Sequence, residues 1–477
     1  MTTLTKPYRI EAIALHQVGV FEEMEVRFPP IETAEADATK AEIHVFTGPN
    51  GCGKSTLLYA LAEIFRPTPE DRLLCYKAGV SPIRSRIRGS GSHVDYVFSG
   101  SLGRYPAPGL LPDTFGTNRF QSPPSLVRQL VGPDGAIVQI DGALSSCRRG
   151  ADTVRDHVMM SRENLVRDLA ALGPVPFFAV AYSGQRSASD YEINAISEIA
   201  NSPFENALSF DGSTRPQVLL QWVANNRAQS ALAKQDGDTA AAAVYDLALF
   251  RITTLIRDIC DLDLEFRLER SPLAVSMRLN GANIGFDGLP DGLKSIISWV
   301  GDLSLRLEAL PWEREQDVFA QPIILFLDEV DIHLHPKWQR RILPAIQRLL
   351  PNAQVFVSTH SPFVVGSVED AWVYRLPEPA GGPTSGVVEA MPSGAGKSYR
   401  LILEEVFGLS GEFDVETEAL FSDFYQAREA FLKVPGDPGP LLAAARVLAE
   451  RGEESALIVS RELRQISRVT GIEVSLA

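Results

Sequence analysis

"TGPNGCGKST", Thr47–Thr56, is the stretch whose reading decides the fold. Gly48-Pro49-Asn50-Gly51-Cys52-Gly53-Lys54-Ser55 fits G-x-x-x-x-G-K-[ST] at every fixed position. Glycines let backbone N–H groups turn inward around phosphate oxygens, and a helix that starts there brings its positive end to the same anion. Lys54 adds a compact charge for the β- and γ-phosphates, and the Ser55 hydroxyl is a ligand for Mg²⁺. The apolar "EIHVF" before the loop predicts a buried strand. The spacing of Leu57, Leu58, Leu61, Ile64 and Phe65 after it predicts a helix. Asn50, Gly51, Cys52, Gly53, Lys54, Ser55 and Thr56 are therefore expected to bind ATP, with Cys52 a small loop residue without a redox role. A second GKS, in "SGAGKSYR" at 393–400, has Met391 where the first glycine belongs and no buried strand before it, so it reads as a loop.

Two further strand ends complete the reading. In "IILFLDEVDIHLHP" an apolar run ends in Asp328-Glu329. A carboxylate at the end of a buried strand neighbouring the loop strand would sit beside Mg²⁺, which makes Asp328 a metal ligand. Glu329 then lies near the γ-phosphate, where it would polarise the attacking water. About thirty residues on, "VFVSTHSP" is a strand ending at His360, a hydrogen-bond donor to the γ-phosphate.

The rest of the chain bounds this reading. Its 477 residues suggest two or three domains, and 45% hydrophobic with 22% charged residues is an ordinary globular composition. A net charge of −15 argues against a surface basic all over, without excluding a local basic groove. The opening "MTTLTKPYRIEAIALHQ" is polar where a signal peptide would be apolar. The longest apolar runs look too short to span a bilayer, and a cytoplasmic location is expected. Cys52, Cys75, Cys147 and Cys260 show neither metal spacing nor a disulfide framework.

Along the chain, 8–28 reads as a β-hairpin, 190–262 as largely helical, and about 400–470 as helices. Five regions are expected: a core lobe with the phosphate loop at 1–66, a β-rich insert at 67–176, and a helical insert at 177–264. A second core lobe follows at 265–376, then a helical C-terminal region at 377–477. The fold class is α/β with a mixed sheet and flanking helices.

The order of phosphate loop, glycine-containing turn, acidic strand and histidine strand resembles the ABC-type ATPase superfamily. Its details resemble the RecF, SMC and OLD-like branch. "DEVDIHLHPKWQRRILPAIQRLLPNAQVFVSTHSPFVV" is similar to the AAA-21/AAA-15 ATPases of bacterial defence modules such as the Septu, PARIS and OLD-type systems. The resemblance covers about 8–66 and 265–376. It implies that Gly288–Ser295, "GLPDGLKS", is the signature motif, opening a helix that faces the γ-phosphate bound by a second subunit. Pro290 stands where the family's serine would, so the contact falls to Asp291, Gly292, Lys294, Ser295 and the helix dipole. The resemblance further places Gln185-Arg186 at the Q-loop, and Asp331, His333 and His335 at a dimer interface. The alternate histidine spacing before a proline looks more like a turn than a metal site.

A site split between loop and signature links nucleotide state to dimer geometry, so at least a head-to-tail homodimer, or a higher homo-oligomer, is expected. Three functions compete. The first is a sensor or regulatory ATPase of an anti-phage module controlling a separately encoded effector, a nuclease or toxin. The second is a RecF- or SMC-like ATPase of DNA repair or organisation. The third is a transporter's ATPase subunit, which the roughly 230 residues between loop and signature disfavour. Arg84, Arg86, Arg88, Arg148 and Arg149 mark the basic patches that DNA would need, and they read equally well as solvated loops. The acidic stretch "LEEVFGLSGEFDVETEALFSDFY" fits a docking surface or a lid.

Overall fold

The computed structural model describes residues 2–4, 9–33, 40–63, 93–99, 128–131, 137–140, 175, 177–184, 195–199, 202–210, 214–271, 273–313, 315–378, 384–394, 396–409, 411 and 413–476. They form two units, Met1–Ile402 and Leu403–Ala477. Gln185, Arg186, Arg84, Arg86, Arg88, Arg148, Arg149, Cys75 and Cys147 lie outside the described residues.

The first unit is built on a six-stranded sheet in the order Met391–Pro392, Ala371–Arg375, Glu42–Thr47, Ala353–Ser358, Ile323–Leu327, Phe178–Tyr182. All but the two-residue edge strand run parallel. Parallel strands covered on both faces read as continuous apolar runs, and "IILFL", "FAVAY" and "AQVFVS" are buried at every residue. The order corrects one expectation. The strand leading to His360 lies between the loop strand and the acidic strand, so Asp328 reaches the loop from one strand further away.

One face of this sheet is covered by the helix Lys54–Glu63 and by a second sheet. Phe46, Ala179, Ala181, Ile324, Phe326 and Phe356 share a core there with Ile10, Ile13, Phe21 and Leu57. The hairpin expected at 8–28 is present as Arg9–Val18 paired antiparallel with Phe21–Arg27. Thr384–Val388 adds to it in parallel. At the start of the loop strand the two sheets meet in a buried polar cluster. Arg9 donates to Glu42 at 2.6 Å, and His44 Nε2 lies 2.8 Å from the same carboxylate. Gln354 bridges Glu42 and the Ile10 carbonyl, and His44 Nδ1 meets the Tyr374 hydroxyl.

Helices Pro216–Gln235 and Thr239–Cys260 pair, and both pack on Asp291–Ala309. At Gly301 a Cβ would come within 2.4 Å of Leu219, so a larger residue would hold these helices apart. Among the described residues, Thr239–Cys260 alone is long and apolar enough to cross a bilayer, which corrects the expectation that every apolar run is too short. Asp238 caps it through the Ala241 N–H, and Ile252, Ile256 and Ile259 are buried within the unit while Val244, Leu247 and Phe250 are exposed. The stretch 264–284 forms a three-stranded antiparallel sheet.

In the second unit, helices Val415–Lys433, Gly439–Ala449 and Glu453–Thr470 enclose their own core. Phe421, Phe424 and Phe431 pack with Leu441, Leu448, Val459 and Leu463. Asp414, within the acidic stretch, caps the first helix by accepting from the Thr417 N–H and hydroxyl.

Candidate nucleotide site

The phosphate loop takes its shape from three glycines with φ of +147°, +80° and +95° at Gly48, Gly51 and Gly53. L-residues with a Cβ avoid these conformations. Gly53 is constrained twice, because a Cβ there would stand 2.5 Å from the Phe21 ring at the hairpin turn. The helix begins at Lys54, so its first N–H groups point into the loop. The Lys54 ammonium is buried, donating to the Gly48 and Pro49 carbonyl oxygens at 3.0 Å each. Cys52 is also buried, and burial pushes its thiol pKa up, which suits a packing residue rather than a reactive one. Asn50 and Gly51 are exposed at the tip.

Asp328 meets this loop directly. Ser55 Oγ donates to its Oδ1 at 3.1 Å, and the Tyr59 hydroxyl reaches Oδ2 at 3.4 Å. Ser358 on the intervening strand donates to Oδ1 at 2.5 Å. The same Ser358 hydroxyl accepts the Glu329 N–H at 2.7 Å. Glu329 has a φ of +47°, a strained value for a residue with a side chain, and its side chain lies against Gly184. A Cβ on Gly184 would fall 2.8 Å from Glu329 Oε2.

His360 is exposed at the end of its strand. Partial burial lowers its pKa and the Lys54 charge lowers it further, against the opposing pull of Asp331, Glu329 and Asp328. Those influences place it among the loop lysine and the carboxylates, neutral at physiological pH and able to donate from one ring nitrogen. The turn that holds it is tied down by Gln339, whose Oε1 accepts from Ser361 Oγ at 2.8 Å while its Nε2 donates to the Leu334 carbonyl at 2.9 Å.

His335 turns out to be the N-cap of helix Pro336–Leu349, its Nδ1 accepting the Lys337 N–H. His333 is exposed with a φ of +60°. No group of three or more metal-ligating side chains occurs among the described residues.

Helix Asp291–Ala309, which the resemblance would make the signature helix, starts where the sequence suggests, with Pro290 as N-cap and Asp291 in the first turn. Gly292 is buried against the chain's own loop, and a Cβ there would lie 2.5 Å from the His333 carbonyl oxygen. Ser295 is buried as well. Asp291 is exposed, and Lys294 lies 3.6 Å from its carboxylate. The structure thus gathers Lys54, Ser55, Asp328, Glu329 and His360 at one end of the sheet. Asp291, Gly292, Lys294 and Ser295 lie beyond the 331–334 loop.

Sequence reading missed Ser358, Tyr59, Gln339 and Gly184. Ser358, two residues before His360, carried a faint signal as the one hydroxyl in an apolar strand. Tyr59 carried none, because its partner Asp328 lies far away in sequence, and Gln339 carried none, because nothing in the pattern marks a turn-tying glutamine. The site fits the groups it was expected to hold. A hydroxyl and a carboxylate that already touch are hard oxygen donors of the kind Mg²⁺ prefers. A loop that only glycine can follow, ending at a helix start beside a buried lysine, suits a polyphosphate.

Two segments of the chain match known families. Residues 31–105 match the family described as "ABC transporter", and residues 261–366 that described as "AAA domain, putative AbiEii toxin, Type IV TA system". With the geometry above, these matches show that the chain carries an ABC-type ATPase domain. Its relatives include the Retron Vc95 probable ATPase of Vibrio cholerae, 37% identical over 23% of this chain and 21% of that one. The Septu protein PtuA of Bacillus thuringiensis is 30% identical over 34% of this chain and 41% of its own. The chain thus spans about a fifth to two fifths of the length of these relatives. An SmcHead bound to the C-winged helix domain of ScpA aligns over 80% of this chain and 98% of its own, at 10% identity and a TM-score of 0.41.

Proposed function

We propose that this chain binds and hydrolyses ATP with Mg²⁺ as a dimeric switch, and that it regulates a separately encoded effector in a bacterial anti-phage defence module. The observation that carries the reading is the division of the site. The loop, the acidic strand end and His360 converge, while Asp291 and Lys294 pair with each other at a helix start whose Gly292 packs against the loop that follows Glu329. A second copy placed head to tail would bring its Asp291–Ser295 helix start to the nucleotide.

In this reading Lys54 and the loop amides hold the phosphates, and Ser55 and Asp328 hold the metal, which supplies charge neutralisation for the transferred phosphoryl group. Glu329, kept in place by Ser358, orients and deprotonates the attacking water, and His360 donates to the γ-phosphate. Closure then requires nucleotide, and hydrolysis limits how long closure lasts. A cytoplasmic location is part of the same reading. The names of the retron and Septu relatives support the defence setting.

Glu329→Gln tests the switch. With Mg-ATP bound, the variant should read as twice the chain mass by light scattering. A variant that holds ATP and stays a single chain overturns the dimeric reading. DNA affinity that falls steeply with salt would instead favour the repair or DNA-organising function.

A further inference from the structure

Tyr182, the last residue of strand Phe178–Tyr182, is engaged in two directions at once. Its carbonyl oxygen accepts the Asp328 N–H at 2.9 Å, so its main chain steadies the residue whose carboxylate meets Ser55. Its buried phenol donates to Asp302 Oδ2 at 3.0 Å. Asp302 belongs to the signature helix, and Trp299 of that helix lies beside the Tyr182 ring, with centroids 6.1 Å apart. Asp302 is a hub. It also accepts from Arg215 Nε at 2.9 Å and from Arg306 Nε at 2.5 Å. Arg306 in turn donates to the carbonyl oxygens of Pro203 and Glu205, and Arg215 to that of Ser202. Burial and the neighbouring Asp302 carboxylate keep the phenol protonated well above its ordinary range, so it stays a donor.

We propose that Tyr182 is a positioning residue that ties the Asp328 end of the nucleotide site to the signature helix, so that filling the site resets the helix in the same chain. The functional consequence, that the reset helix faces a second copy's nucleotide, rests on the dimeric reading above. Two apolar surfaces can slide past one another at little cost. A buried phenol–carboxylate bond cannot part without leaving the phenol unpaired, since Asp302 itself is held by Arg215 and Arg306, and that penalty makes the helix follow the strand end. A helix transmits such a shift as a rigid rod, and from Asp302 to Asp291 it spans about 16 Å. The sequence link is short on the nucleotide side, since Tyr182 precedes Gly184, the residue against Glu329, by two positions.

The test is hydrogen exchange over 291–309 in the full Glu329→Gln chain, with and without Mg-ATP, at a dilution where light scattering reads a single chain. Binding should slow exchange in this helix roughly threefold or more. Adding Tyr182→Phe should abolish the slowing while ATP affinity stays within about twofold. Asp302→Asn, which keeps the hub's shape and weakens the phenol bond, should give a partial loss if Tyr182→Phe folds poorly. Equal slowing with and without the phenol hydroxyl, or no slowing in the parent, overturns the proposal. A purely structural hydroxyl would lower the melting temperature and leave the slowing intact. Because the readout is taken on single chains, it does not depend on whether Glu329→Gln dimerises.

Discussion

The Ser358 hydroxyl accepts the N–H of Glu329 and donates to the carboxylate of Asp328. Removing it leaves a half-buried N–H without its acceptor beside a strained backbone, and takes from Asp328, the proposed metal ligand, one of three hydroxyl donors. Ser358→Ala should cut ATP turnover about 10–100-fold and raise the Mg²⁺ concentration needed for half-maximal rate. Steady-state phosphate release across a Mg²⁺ series would show it. The loop glycines separate two effects of a methyl group. At Gly51, φ is +80° with nothing within 4 Å of a Cβ, so Gly51→Ala pays only the backbone strain, about 1–2 kcal/mol. Gly53→Ala adds the clash with Phe21 and should abolish nucleotide binding. A fluorescent-nucleotide titration should find weakened affinity in the first and none in the second.

At the scale of elements, the cluster of Arg9, Glu42 and His44 joins the second sheet to the loop strand. Burial alone would raise the Glu42 pKa, but Arg9 and His44 outweigh it and hold it at about 2, below the ordinary 4.5. This stabilisation is complete above pH 4.5 and is lost as pH falls toward 2. Burial lowers the His44 pKa below 6.5 against the pull of Glu42. The unfolded chain therefore takes up that proton first on acidification, and stability falls in the same direction. The urea midpoint should thus decline as pH falls below about 6.5 and decline further from pH 4.5 toward 2. Arg9→Met, which strands a buried carboxylate, should cost about 3–5 kcal/mol at pH 7 and flatten that decline.

The same scale shows what could be read from the chain. Loop, acidic strand end and histidine strand were legible because each couples a fixed residue pattern to an adjoining apolar run. Strand order was not, since nothing local records that Ala353–Ser358 inserts between the other two. Ser55 meets Asp328 as expected. Tyr59 escaped notice because a hydrogen bond between distant positions leaves no periodic trace, and Gln339 because nothing in the pattern marks a turn-tying glutamine. His335 was assigned to an interface on resemblance, although a histidine just before Pro336 also has the local chemistry of a helix cap.

At the scale of the whole molecule, Leu403–Ala477 carries an apolar core of its own. Expressed alone, this segment should be helical by circular dichroism and melt cooperatively. Phe424→Ala, at a fully buried position, should cost about 3–5 kcal/mol and erase the transition. A broad, sloping melt of the parent segment would show that its core does not suffice.

The central sheet imposes a waiting time on synthesis. The loop strand pairs with Gln354–Ser358 on one side and Ala371–Arg375 on the other, both made about 310 to 330 residues after it. At about 5–20 residues per second, that is roughly 15–65 s during which a strand that ends fully buried has left the ribosome and neither neighbour exists. The loop strand of the nucleotide site is thus made long before the strands that flank it. During that interval its safety from aggregation depends on whatever shields nascent chains in the cell.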